Sequence, residues 1–225
     1  MEKSNLIKEY ERLDDLQLNN LMIIQNPNEY CFTSDAVALA NFAKCAKGEV
    51  VVDLCSGSGV IGILISAKCS PSHVHLVELQ NILADMSDRS VKYNDLQDII
   101  SVHNAPLQGI SSVLGVGKAD MVVCNPPYKK SNMSKLGEKK SINIAKHEIE
   151  VTLEEIILES AKLLKFGGKF YTINKEERLA DIIVEMRKNH IEPKIIKILS
   201  TTKYGHIVMV QGIKNGKSGL KVELG

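Results

Sequence analysis

From residue 49 onward, short runs of β-branched and other apolar residues alternate with segments of helical periodicity. Such alternation is typical of a parallel sheet with helices packed on its faces. Only a few residues, including Gly205, separate the last two predicted strands, and so short a connection cannot make a right-handed crossover. The sequence therefore predicts an α/β fold whose mostly parallel sheet ends in a C-terminal antiparallel hairpin.

The elements are predicted with the following bounds. Strands are expected at 49–54, 73–78, 98–103, 119–124, 168–173, 194–200 and 206–213, and helices at 59–68, 81–93, 152–165 and 175–189, with a shorter one near 107–114. Thr152 and Glu155 have the spacing of a capping box, and Gly167-Gly168 is expected to end that helix beyond Lys165. Its apolar stripe, which we assign to the core, is Leu153, Ile156, Ile157, Ala161 and Leu164. Residues 1–48 are predicted to be an N-terminal extension to a domain at 49–225.

Composition narrows the class of protein. The five cysteines are scattered without a C-x-x-C pair, which argues against a disulfide framework and a zinc site and predicts reduced thiols. No segment has the length and apolarity of a membrane span or the layout of a signal peptide, so we expect a cytoplasmic protein with no membrane partner. Neither His147 nor Glu148 is needed as a metal ligand, and we expect no metal. With a formal net charge of +1, a nucleic-acid partner would have to be bound by a local basic patch.

A glycine-rich turn follows the first predicted strand of the domain. It runs from Asp53 to Gly59 and leads into an apolar helix, an arrangement that lets a ligand approach the backbone closely. Gly57, Gly59 and Gly62 also match the G-x-G-x-x-G fingerprint, and Glu78 lies where a ribose-binding acid is expected, so a nicotinamide-dependent oxidoreductase is one alternative. Asp53 at the strand end suits the amino group of S-adenosyl-L-methionine better than a pyrophosphate. The structural alternative for Asp53 is a helix cap. For Glu78 it is a solvated acid at the end of a strand.

The second chemical motif is Asn125-Pro126-Pro127-Tyr128, which directly follows the apolar strand ending at Cys124. A conjugated amine is a poor nucleophile, and this motif offers the Asn125 side-chain oxygen and the Pro126 carbonyl as acceptors for its two N–H groups. The prolines have fixed φ and hold that carbonyl in place, and Tyr128 can stack on a flat substrate. The motif indicates methyl transfer to nitrogen; its structural alternative is a rigid turn.

Together these motifs resemble class I S-adenosylmethionine-dependent methyltransferases. Within that class the chain is most similar to the bacterial family that methylates N6 of adenine-37, just 3′ of the anticodon in valine tRNA. The segments that carry the resemblance are 25–42, 53–62, 77–80, 83–86, 125–128, 146–148 and the region around Arg178. It implies a Rossmann-like, seven-stranded sheet with the cofactor across the carboxyl ends of the strands.

The resemblance also assigns roles to individual residues. It implies that the cofactor is bound by Thr33, Asp35, Asp53, Cys55, Gly57, Gly59, Glu78, Leu79 and Asn125. It implies that Asn125, Pro126, Pro127 and Tyr128 form the catalytic corner, with Tyr128 stacked on the base. The resemblance further implies that the N-terminal extension, 1–48, covers the cofactor site, with the segment 32–35 folded over the cofactor. Asp35 also begins a helical pattern and fits an N-cap, so capping is its alternative explanation.

Two departures from the family pattern limit the assignment of these residue roles to this chain. Many relatives have an Asp after the third strand that contacts the cofactor's adenine, whereas 102–106 contain none. Asn104 is the expected substitute for that Asp; the structural alternative is that Asn104 is a turn residue. The chain also stops at Gly225, where relatives often continue.

A lysine-rich segment lies between the Asn-Pro-Pro-Tyr motif and the helix at Thr152. We expect this loop, 129–147, to bind the phosphates of a tRNA anticodon stem-loop, with Lys129, Lys130, Lys146 and His147 as substrate contacts; an ordinary solvated loop is the alternative. Three alternative functions for the whole chain remain open. They are a glutamine N5-methyltransferase acting on a release factor, an rRNA or DNA amino methyltransferase, and a non-catalytic RNA-binding protein on the same fold.

Overall fold

The computed structural model describes residues 3–126, 151–201 and 205–225. The strands of these ranges are β1 Arg12–Asp15, β2 Met22–Gln25, β3 Val50–Leu54, β4 His73–Glu78, β5 Ile100–Asn104, β6 Ala119–Cys124, β7 Leu164–Lys175, β8 Ile191–Thr201, β9 Gly205–Lys214 and β10 Lys221–Leu224. The α-helices are α1 Ser34–Phe42, α2 Val60–Cys69, α3 Asn81–Tyr93, α4 Ile110–Leu114, α5 Leu153–Leu163 and α6 Leu179–Lys188. Two 3₁₀ turns, Lys3–Leu6 and Glu176–Arg178, complete the described elements.

One sheet organises the molecule, with strands in the order β5-β4-β3-β6-β7-β9-β8-β10. Only β9 runs against its neighbours, pairing antiparallel with β7 and β8, so the predicted α/β class and the C-terminal hairpin are confirmed. The described sheet has eight strands rather than the expected seven. The additional strand, β10, pairs parallel with β8 at the edge.

Each face of the sheet has its own apolar core, because successive residues of a strand point to opposite faces. Val51 belongs to the cluster formed with α1 and α2, whereas Val52 belongs to the cluster formed with α4, α5 and α6. The predicted capping box of α5 is present, with the Glu155 N–H donating to Thr152 Oγ1 and the Thr152 N–H donating to Glu155. The predicted apolar stripe of α5 is buried.

The N-terminal segment packs against α3. β1 and β2 form an antiparallel hairpin, and Arg89 of α3 donates to both carboxylate oxygens of Glu11, to Asp85 and to the Leu6 carbonyl. The side chains of Arg89 and Glu11 are only 9% and 5% exposed, so this is a buried ion pair. Neither the hairpin nor the ion pair was expected from the sequence.

The end of α5 differs from the prediction. The helix stops at Leu163, and Leu164 is extended and pairs with Ala119 of β6. The next pair joins Lys169 to Met121, so the intervening residues of β7 form a bulge. Gly167, with φ at 77°, therefore lies in a strand bulge and does not end the helix.

The start of α1 also differs. The helix begins at Ser34 with Thr33 as its N-cap residue, and Asp35 is the second helical residue, so Asp35 is not the N-cap. Thr33 has the extended backbone of a cap position, and its side chain makes no capping hydrogen bond. Among the described residues, no helix is long and apolar enough to span a membrane.

Candidate active site

Three loops meet at the carboxyl edge of the sheet. The strand register pairs Leu54 of β3 with Val77 of β4 on one side and with Cys124 of β6 on the other. The residues that follow these positions, Cys55, Glu78 and Asn125, therefore share one edge. The chain order reverses at β3, and such a switch point in an open α/β sheet is where ligands bind.

The turn after β3 is held in a conformation that glycine permits. Gly57 and Gly59 have φ of 56° and 86°, in the left-handed region. At Gly57 a Cβ would meet nothing nearer than the Tyr30 ring at 4.0 Å, so this backbone is open to a ligand. At Gly59 it would lie 2.4 Å from Ser87 Oγ, so this glycine allows the turn to pack against α3.

Glu78 links the end of β4 to the glycine-rich turn. Its Oε2 accepts the Gly57 N–H at 2.8 Å, and its Oε1 accepts the Gln80 N–H at 2.8 Å. Burial raises the pKa of the Glu78 carboxyl, and the backbone N–H groups that donate to it offset part of that effect. Each oxygen retains a further lone pair that can accept a hydroxyl of a bound ligand.

Asp53 lies beneath the turn. It is fully buried, and its Oδ2 accepts the Gly62 N–H at 3.0 Å, whereas Oδ1 has no hydrogen-bond partner. Burial raises the pKa of Asp53 to about 8, against the smaller effect of the Gly62 N–H, and the Glu78 charge adds to the rise. Burial therefore favours the neutral carboxyl over the carboxylate.

A cleft with about 840 Å³ of empty space, part of it open to solvent, lies over this edge. Five of the residues predicted to bind the cofactor line it: Cys55, Gly57, Glu78, Leu79 and Asn125. Its remaining walls are mostly apolar and include Ile61, Val77, Leu83 and Leu107. A cleft with apolar walls and a few placed polar groups is suited to a small-molecule ligand.

Four other residues predicted to bind the cofactor are near the cleft but do not line it: Thr33, Asp35, Asp53 and Gly59. Asn104 does not line it either. Its side-chain amide donates to the carbonyls of Glu78 and Leu79, both at 3.0 Å, and so braces the end of β4.

The cleft also contains residues that the sequence analysis did not assign. Tyr30 and Phe32 cover it from the N-terminal segment, and Gln108 lines it from the loop after β5. The buried side chain of Gln25 accepts the Phe32 N–H at 3.0 Å and fixes that segment. Burial, with the charge of Asp35, raises the pKa of Tyr30 to about 12, so its hydroxyl stays protonated. Gln108 follows the carboxyl end of β5, and this position was the sequence signal that could have identified it.

The Asn-Pro-Pro-Tyr motif is described in part. Asn125 lines the cleft and Pro126 is buried beside it. The predicted contacts Pro127, Tyr128, Lys129, Lys130, Lys146 and His147, with the rest of the lysine-rich loop, lie outside the described residues. Within the described ranges, no group of three or more His, Cys, Asp or Glu side chains is placed to bind a metal ion.

The sequence and the fold were compared with known proteins. A predicted O-methyltransferase from Agrobacterium tumefaciens has a similar fold, with a TM-score of 0.66 and 20% identity over 84% of this chain and 85% of that one. The tRNA1(Val) (adenine(37)-N6)-methyltransferase of Porphyromonas gingivalis is 25% identical over 155 residues, 66% of this chain and 60% of that protein. The ribosomal RNA large subunit methyltransferase G of Colwellia psychrerythraea is 24% identical over 75% of this chain and 40% of that protein.

The P. gingivalis and C. psychrerythraea proteins are longer than the part of them that this chain matches. That part is 60% of the former and 40% of the latter. The profile of the methyltransferase small domain matches residues 33–192, which include the glycine-rich turn, Glu78 and the Asn-Pro-Pro-Tyr motif. The chain belongs to the methyltransferase small domain family.

Proposed function

We propose that this protein transfers a methyl group from S-adenosyl-L-methionine to the exocyclic N6 amine of an adenine in RNA, with adenine-37 of valine tRNA as the substrate. The observation that carries the proposal is the position of Asn125 and Pro126, at the end of β6 and beside the cleft formed by the glycine-rich turn and Glu78. A methyl donor in that cleft and an amine at Asn125 would be neighbours.

The residues of the cleft fit the proposed cofactor. Glu78 presents a carboxylate, fixed by two backbone N–H groups, that suits the two hydroxyls of a ribose. Gly57 leaves the backbone open for the amino-acid part of the cofactor, and the apolar walls suit an adenine ring. The Oδ1 of buried Asp53 has no hydrogen-bond partner, and a cationic ligand nearby would stabilise its ionised form, whereas a pyrophosphate would oppose it.

The chemistry divides between the cofactor and the chain. When bound, S-adenosyl-L-methionine supplies an electrophilic methyl group on a sulfonium sulfur. The Asn125 side-chain oxygen and the Pro126 carbonyl would accept the two N–H groups of the amine, which directs its lone pair toward the cleft. As the nitrogen becomes tetrahedral it gains positive charge, which the same two acceptors stabilise. The methylated nitrogen then loses a proton to water, so no dedicated strong base is needed, and most of the catalysis is positioning.

Relatives support the substrate class. The similar protein of P. gingivalis is named for adenine-37 of tRNA1(Val), and an anticodon-loop base is largely unpaired, so placing it in a pocket costs less than extracting it from a duplex. The lysines of 129–147 are the proposed phosphate contacts. The C. psychrerythraea relative favours ribosomal RNA as the second candidate substrate.

The test is methyl transfer from labelled S-adenosyl-L-methionine to total tRNA, with ribosomal RNA and a release factor in parallel, followed by nucleoside analysis. We expect the label in N6-methyladenosine of one tRNA. Label in ribosomal RNA would move the proposal to the second candidate. Label on the release factor, or on none of the three, would contradict it.

The catalytic role of Asn125 has its own test. Replacing Asn125 by Ala removes one amine acceptor, so kcat should fall by a factor of about 10² to 10³, while the affinity for S-adenosylhomocysteine changes little. Asn125→Asp keeps an acceptor oxygen at the same position and serves as the matched variant, with a smaller loss. Equal turnover by the Ala variant and the parent would contradict the mechanism.

A further inference from the structure

The cysteines, scattered in the sequence, meet in two pairs in the structure. Cys55 packs against the apolar cluster that contains Cys124, and Cys45 and Cys69 both pack against the cluster on the other face of the sheet. All four are free thiols. The first pair lies at the carboxyl edge of the sheet with the cleft. Cys69 ends α2, just before the start of β4, so the second pair lies at the opposite edge.

The strand register explains how the first pair forms. Leu54 pairs with Cys124 on adjacent parallel strands, so Cys55 is the diagonal neighbour of Cys124. Adjacent strands lie about 4.8 Å apart, which places this diagonal within the Cα separation that a disulfide spans. Cys55 has φ at 57°, which turns the chain, and its side chain packs in the same apolar cluster as Cys124.

The two thiols differ in access. Cys55 is half-buried and lines the cleft, so a small reagent that enters the cleft reaches its sulfur. Cys124 is 0% exposed, and reagents reach it only through Cys55. Such a pair has one thiol to react first and a second thiol to resolve the product.

We propose that Cys55 and Cys124 are an oxidation site that a peroxide converts to a disulfide, and that this disulfide closes the cleft to its ligand. In the first step the Cys55 sulfur attacks the peroxide O–O bond, which gives Cys55 sulfenic acid and releases water or an alcohol. In the second step the Cys124 sulfur attacks the Cys55 sulfur, and the hydroxyl leaves with the Cys124 proton as water. The two thiols lose two electrons in total, and the peroxide accepts them.

The disulfide would distort the site because the bond length and torsion angle of a disulfide vary little. An S–S bond is about 2.05 Å long, so forming it draws the sulfur of Cys55, which lines the cleft, toward Cys124 and fixes both side chains. Cys55 begins the glycine-rich turn, and Cys124 directly precedes Asn125. Binding sites tolerate displacements of only about 0.5 Å, so ligand affinity should fall.

Peptide mapping tests the site directly and does not depend on the proposed function. The reduced full chain is treated with hydrogen peroxide, the remaining thiols are blocked with N-ethylmaleimide, and the digest is analysed by mass spectrometry. We expect a linked peptide pair containing Cys55 and Cys124, two mass units lighter than the two thiols, that dithiothreitol separates. Oxidation of Cys55 to a sulfinic acid without linkage to Cys124, or no reaction at Cys55, would overturn the proposal.

Ligand binding tests the consequence, and this readout rests on the proposed cofactor. The reduced chain should bind S-adenosylhomocysteine; if it does not, the proposed function fails and the mapping still decides the oxidation site. After oxidation we expect affinity at least tenfold weaker, restored by dithiothreitol. An unchanged affinity in the linked protein would refute closure of the cleft.

Two variants separate the pairs. In Cys124→Ala the resolving thiol is gone, so peroxide should oxidise Cys55 beyond the point that dithiothreitol reverses. In the matched double variant Cys45→Ser/Cys69→Ser, the pair at the opposite edge is removed, and the reversible loss of ligand affinity should persist. If the double variant abolished that loss, the second pair and not the cleft pair would be responsible.

Discussion

At the scale of single residues, Glu78 does two things with one carboxylate. Its oxygens hold the N–H groups of Gly57 and Gln80, and they face the proposed ribose position. The turn depends on this side chain, and the proposed ligand would depend on it as well. This explains why an acid rather than an amide stands here, since only a carboxylate can accept hydrogen bonds at both oxygens.

Replacing Glu78 by Gln leaves one acceptor oxygen and turns the other into a donor that faces an N–H group. A hydrogen bond to a charged group contributes about 1.5–3 kcal/mol, so we expect affinity for S-adenosylhomocysteine to fall by at least tenfold in isothermal titration calorimetry. Glu223→Gln, in the edge strand β10, is the control and should leave the affinity unchanged. Glu78→Gln binding as tightly as the parent would exclude Glu78 as a ligand contact.

Asp53 gives a prediction for pH dependence. Its folded pKa of about 8 lies above the ordinary value of 3.8, so its contribution to stability is fully present below pH 3.8 and is lost as pH rises toward 8. Asp53→Asn removes this titration. The Tm of the variant, minus that of the parent, should therefore increase from pH 5 to pH 8 in thermal denaturation scans. A constant difference across that range would show that Asp53 does not titrate there.

At the scale of secondary-structure elements, the contact between α2 and β4 sets how close the turn lies to the sheet. A Cβ at Gly62 would be 2.2 Å from Leu76 Cδ2 and 3.1 Å from Val74 Cγ1. Only glycine allows α2 this approach. The glycine fingerprint therefore has separate physical reasons at its positions, with open space at Gly57 and close packing at Gly62.

Gly62→Ala should overpack this contact and destabilise the protein by about 1–3 kcal/mol, measured by urea denaturation. The companion variant Leu76→Val shortens the side chain that the new methyl group meets. In a double-mutant cycle we expect Gly62→Ala/Leu76→Val to be more stable than the sum of the single changes predicts. Strict additivity would mean that Leu76 is not the obstacle.

The sequence predicted elements well where periodicity and breakers agreed. α3, β4 and β6 have the predicted bounds, because apolar alternation and flanking polar residues mark both ends. Gly167-Gly168 misled the prediction, because a glycine pair after a helix and a glycine pair in a strand bulge look alike until the partner strand is known. Pairing with Ala119 decides that case.

In the site, sequence reasoning found the residues that lie in local motifs and missed those brought in by tertiary contacts. Glu78 ends one apolar strand and Asn125 follows another, and both were predicted from those positions. The resemblance implied that the N-terminal segment covers the site but did not identify Tyr30, and the cysteine pairs depend on strand register. Spacing along the chain contains no signal for either.

At the scale of the whole molecule, the N-terminal segment is attached by the buried ion pair of Arg89 and Glu11. That segment supplies Tyr30 and Phe32 to the cleft, so the attachment links overall stability to the site. A second ion pair, Lys3 with Asp95, joins the same segment to the chain after α3, but its side chains are 51% and 71% exposed.

Arg89→Met keeps the length of the side chain and leaves the Glu11 carboxylate buried without its partner. Breaking a buried pair in this way costs about 3–5 kcal/mol, so we expect a Tm lower by about 6–20 °C in differential scanning fluorimetry. Lys3→Ala breaks the exposed pair and should cost less than about 1 kcal/mol. Similar effects of the two variants would show that the Arg89 pair does not anchor the segment.

The strand order has a consequence for how the site comes into being. β3 is flanked by β4, which follows it closely, and by β6, whose pairing residues lie about 70 positions later in the chain. Contacts between distant parts of a chain form late in folding, since their loop closure must come first. A growing chain that has reached only β5 has its glycine-rich turn but no Asn125 beside it. The protein should therefore acquire a place for a nucleotide-like ligand before it acquires any means of using one.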